Sequence, residues 1–115
     1  TTRAYAQGDL EMAAKVEPLE QVIDGLVSDI KSNHITRLQK GHCTIEIGFV
    51  LADLLTNCER VSDHCSNIAV AQIETALNAY QSHEYLNALK SGSNAAFRSV
   101  FDGYLAQFAV KKEQV

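Results

Sequence analysis

Positive charge is in short supply. Lysine and arginine number 10 against 14 aspartates and glutamates, giving a formal charge of −4 and a pI near 5.5. A surface that must neutralise phosphates needs the opposite balance, which argues against a nucleic-acid binder. Long apolar runs are missing too: nothing approaches the ~20 residues of a membrane span, so the chain itself reads as soluble. Thr1 to Asp9 is polar and lacks the apolar core of a signal peptide. The three cysteines are an odd count without framework spacing, which does not suggest a disulfide scaffold. Cys58 and Cys65 would stand ~10 Å apart along a helix, too far to bridge. Small buried side chains in a reducing cytoplasm fit them best. Tryptophan is absent, and one proline and six glycines leave few breaks.

What is there is globular: 46% apolar and 21% charged residues in 115, one domain of 12.6 kDa spanning 1–115. The chain starts with Thr rather than Met, as a C-terminal piece of a larger protein would. Thr1 to Gln7 reads as the tail of an earlier helix. Asp9 can cap a run reaching about Arg37, whose apolar residues Val16, Leu19, Ile23, Leu26 and Ile30 step by three and four. Pro18 predicts a kink or a short break, with the proline in the first turn of the helix beyond it. Gly41 suits a left-handed turn and Thr44 a second cap. Ile47, Leu51, Leu54, Cys58, Val61, Cys65 and Ile68 then repeat at 4 and 3, predicting an inward seam on a helix that reaches about Asn78. Ser82 to Lys90 suggests a short helix, and Ser91 to Asn94 a break with Ser93 as cap. A last helix over 93–110 carries the stripe Phe97, Phe101, Tyr104, Phe108. No period-two pattern appears. The expected fold is all-α, an up-and-down bundle of three to four helices.

Two Glu-x-x-x-Asp pairs hold the chemistry: Glu20/Asp24 and Glu59/Asp63. Residues four apart share a helix face, so two such faces side by side would gather four carboxylates. Hard oxygen ligands suit Mg²⁺, Mn²⁺ or iron. At 100° per residue, Glu59 and Asp63 lie about 130° and about 170° from the predicted seam, and Glu20 and Asp24 about 80° and about 120° from theirs. The acids are therefore expected outside the core. That position suits an ordinary solvated face first and a surface metal second. Glu17, three residues before Glu20, and His64, beside Asp63, are further candidate ligands. His34, His42 and His83 fall near helix ends and suggest no role. A buried di-iron enzyme would need inward Glu-x-x-His, and no Glu here has His three residues on. Phosphate loop, serine elbow and Cys-x-x-Cys are absent, so an enzyme has no positive support.

The segment Glu59-Arg60-Val61-Ser62-Asp63-His64-Cys65-Ser66-Asn67-Ile68-Ala69 resembles the signature of PhoU-type domains, and Leu19-Glu20-Gln21-Val22-Ile23-Asp24 is similar to the family's other acidic motif. The 39 residues from Glu20 to Glu59 suit neighbouring helices of one repeat. His83-Glu84-Tyr85-Leu86 before an aromatic helix is similar to the single PhoU-like domain at the cytoplasmic C-terminus of sodium/phosphate cotransporter-type proteins. The resemblance implies a regulatory, non-catalytic helical domain in phosphate transport. It implies a divalent metal or iron on Glu20, Asp24, Glu59 and Asp63. It also implies, as partner, the membrane transporter portion of the same chain or complex, and a cytoplasmic domain tethered to the inner face of the membrane. A purely structural module that forms a homodimer through its aromatic helix is the alternative.

Overall fold

The computed structural model describes residues 1–77 and 95–114, and the described residues form helices and no strand. The helices are α1 (Thr2–Gln7), α2 (Leu10–Ala13), α3 (Val16–Gln39), α4 (Ile45–Ala76) and α5 (Ala95–Phe108). The fold is all-α, as expected. The predicted features over 78–94, the Ser82–Lys90 helix and the Ser93 cap, lie outside the described residues.

Local chemistry sets the boundaries. Gly8, at φ 63°, ends α1, and the Gly8 and Asp9 amides donate back to the carbonyls of Tyr5 and Ala4. The Asp9 carboxylate accepts from the Met12 amide at 2.9 Å and caps α2. The break falls at Ala14 and Lys15, earlier than Pro18. Pro18 occupies the first turn of α3, where its missing N–H costs nothing. Gly41, at φ 71°, turns the chain after α3, and Thr44 caps α4 by accepting from the Ile47 amide at 3.4 Å. The 32 residues of α4 would span about 48 Å and set the longest dimension of the molecule, 54 Å.

α3 is the central helix, with α4 antiparallel on one side and α5 on another. Residues 111–114 continue along α3. Asn33 donates to the Lys111 carbonyl (3.1 Å) and accepts from the Glu113 amide (2.8 Å), and Arg37 pairs with Glu113 at 3.6 Å. At the other end α1 and α2 fold back on α4, burying Ala4, Ala13, Ala69 and Ile73 against Met12 and Val16. Gln72 anchors α1 by donating to the Ala4 carbonyl at 2.9 Å. Within α5, Phe97 is buried, while Phe101 and Tyr104 are half-buried. Tyr104 stacks on Phe108 with centroids 6.1 Å apart.

One expectation is overturned. The seam of α4 does not face inward: Ile47 and Leu54 are each 58% exposed and Val61 is 63% exposed, with Cys58 and Ile68 exposed as well. The buried face is Leu55, Ser62, Ser66, Ala69 and Ile73, centred about 90° from that seam, with Val70 and Glu74 buried beside it. Its small residues let α3 and the N-terminal helices come close. A search for apolar periodicity passes over a contact face that mixes two serines, an alanine and a glutamate with its larger apolar residues.

Candidate functional site

The site grows out of how α3 and α4 lie together. Near the start of α3, Glu17 is buried and accepts the hydroxyl hydrogen of Ser66 on α4 and, at 3.4 Å, an amide hydrogen of Gln21. An antiparallel pair that sets 17 level with 66 also sets 20 level with 63 and 24 level with 59. The two Glu-x-x-x-Asp motifs thus lie at the same level along the helix pair, and the charge of Asp63 reaches Glu20 across it.

Their environments differ. Glu20 is half-buried and its carboxyl is raised to about 7, first by burial and then by the negative charges of Asp24 and Glu17; a hydrogen bond with Asp24 and the charge of Asp63 add to the rise. Asp24, Glu59 and Asp63 are exposed. Glu59 has a cationic neighbour, Lys31, at 3.9 Å, both side chains about half exposed. His64 is exposed. Measured from the buried face, Glu59 lies about 40° and Asp63 about 80° around α4. The acids therefore rim the α3–α4 contact instead of sitting on the far side of the helix. The shift results from the rotation of the buried face away from the expected seam.

The donors are hard oxygens, which suit a hard cation by type, and Glu20 is crowded by negative charge. Among the described residues no three acidic, histidine or cysteine side chains converge closely enough to hold an ion as they stand. Beside the acids runs an apolar groove of about 440 Å³, lined by Val16, Leu19, Ile23, Val61 and Cys65, with Glu20 and Ser62 on its wall. It exists because the expected seam is uncovered there.

The sequence places Glu17 among auxiliary ligands and Ser66 only among the neighbours of Asp63. In the structure both hold the two helices together. The available signal was positional: Glu17 is in the first turn of α3, and Ser66 lies three residues beyond Asp63.

Residues 1–71, which include Glu17 and both Glu-x-x-x-Asp motifs, match the PhoU domain. Over 96 residues, 82% of the chain, the sequence is 29% identical to the phosphate-specific transport system accessory protein PhoU homolog 1 of Thermotoga maritima. The chain spans 40% of that relative's length. No solved structure matches the chain.

Proposed function

The chain belongs to the PhoU domain family, and from that premise we propose that it is a regulatory, non-catalytic domain of a phosphate transport system, working through a protein partner. The match over 1–71 and the name of the Thermotoga maritima relative support this reading. In it, the partner is the membrane transporter portion of the same chain or complex, and the domain acts at the inner face of the membrane. No described helix is long and apolar enough to cross a membrane.

In the same proposal, Glu20, Asp24, Glu59 and Asp63 bind a divalent metal or iron at the rim of the α3–α4 contact. The supporting observation is the crowding of Glu20 by Asp24, Glu17 and Asp63. A cation there would relieve that repulsion. Glu17 is already engaged by Ser66 and contributes charge rather than a free ligand, and His64 stands ready only as an outer neighbour. The test is metal analysis of protein purified without chelator, with Glu59→Ala/Asp63→Ala as control. Stoichiometric metal in the parent and its loss in the double variant is the expected result. Equal background levels in both would remove the metal from the proposal.

A second reading, self-association without metal, draws on the uncovered stripe of α4. The aromatic helix is the weaker candidate for that role, because Phe97 is already buried. Solution mass across a concentration series separates the two readings.

A further inference from the structure

We propose that Cys43 is a reactive thiol, with His34 as its base, that exchanges with low-molecular-weight disulfides. This lies outside the acidic rim and does not depend on it. The turn between α3 and α4 folds Cys43 back over the end of α3, and its Sγ lies 3.2 Å from Nδ1 of His34. Both residues are half-buried. The thiol has a second, more distant acceptor in the Thr44 carbonyl at 3.7 Å.

A separate observation fixes the imidazole. The ring lies against α4 at Gly48, where a Cβ would come within 2.6 Å of Nε2. That is closer than real Cβ atoms come, so a glycine at 48 leaves the notch in which the ring sits. Nδ1 is thereby held on the thiol. Cys43 also directly precedes Thr44, the cap of a 32-residue helix.

The step is an ordinary exchange. The thiol proton passes to Nδ1 of His34 as Sγ attacks one sulfur of the disulfide. A new sulfur–sulfur bond forms at Cys43 and the old one breaks. The departing thiolate takes the proton from the imidazolium. Cys43 is oxidised and half of the incoming disulfide is reduced, so no further oxidant is needed. The adduct takes away the thiol that faces the ring, at the turn joining the two helices that carry the acids.

Cys58 supplies an internal control, since it is the more exposed thiol. The full chain is incubated with glutathione disulfide at neutral pH, and adducts at each cysteine are followed by peptide mass spectrometry. Cys43 is expected to react about fivefold faster than Cys58 despite its lesser exposure. His34→Gln keeps a polar side chain but removes the base, and Gly48→Ala displaces the ring. Each should slow Cys43 about tenfold while leaving Cys58 unchanged, and free imidazole should restore part of the rate in His34→Gln. Cys43 reacting no faster than Cys58 in the parent protein overturns the proposal. So does a Cys43-to-Cys58 ratio that survives His34→Gln. If a variant fails to fold, the parent ratio decides alone.

Discussion

Ser66 donates its hydroxyl hydrogen to the buried carboxylate of Glu17, and this one bond ties α3 to α4 in the register that sets Glu20 level with Asp63. Neither residue belongs to the two acidic pairs, yet both stand one turn from them. The bond replaces water around a carboxylate that is only 4% exposed.

Removing the hydroxyl should therefore be costly. Ser66→Ala leaves the buried Glu17 carboxylate with one partner fewer, and stability should fall by about 1–3 kcal/mol. Urea unfolding tracked by circular dichroism checks this. Ser66→Thr, which keeps the donor, should lose less.

Glu20 should make stability depend on pH. Its carboxyl is raised from 4.5 to about 7 in the folded protein, so the folded state holds more protons than the unfolded state between those values. Stability is then fullest below 4.5 and declines as pH rises through 7. Glu20 is only half-buried, so solvent screening limits the loss to about 1 kcal/mol. Glu20→Gln should raise the melting temperature at pH 8 by about 3–6 °C in chelator and change it little at pH 4.5. An equal gain at both values would detach the effect from ionisation.

Metal and proton should compete for the same carboxyl. On the proposed reading, Mn²⁺ binding near pH 6.5 releases a proton, so calorimetric heats should vary with the ionisation enthalpy of the buffer. Affinity should weaken below pH 7 by up to about tenfold per unit. In Glu20→Gln the proton release should vanish.

The uncovered stripe on α4 should govern association. Leu54→Glu with Val61→Glu places charge on side chains that are already 58% and 63% exposed. The monomer should lose only about 0.5 kcal/mol of stability per site. Binding of a hydrophobic dye, and any concentration-dependent rise in mass by light scattering, should both drop. A large loss of stability at micromolar concentration would show that the stripe is packed after all.

The elements were legible in the sequence because they depend on nearby residues. Asp9, Gly41 and Thr44 act within a few positions of themselves, and each does what its type predicts. The common level of the two acidic motifs follows from equal spacing on antiparallel rods, but how closely their side chains approach does not. Which side of α4 turns inward was not legible. The heptad of Ile47 to Ile68 is the louder signal, but Ser62, Ser66 and Ala69 admit a neighbouring backbone more closely than leucine or isoleucine would. The burial of Glu17 escaped for a related reason: an acid is read as solvated until its partner, 49 residues away, is known. The Cys43–His34 contact depends on a glycine in the next helix, which no local pattern announces.

From Phe49 to Ala76, α4 contains neither glycine nor proline, the usual origins of a sharp bend. Such a helix behaves as a stiff lever. A pull on Asp63 toward Glu20 would then be felt at both extremities: at the N-terminal helices clasped near Ile73 and at the hairpin tip around Cys43.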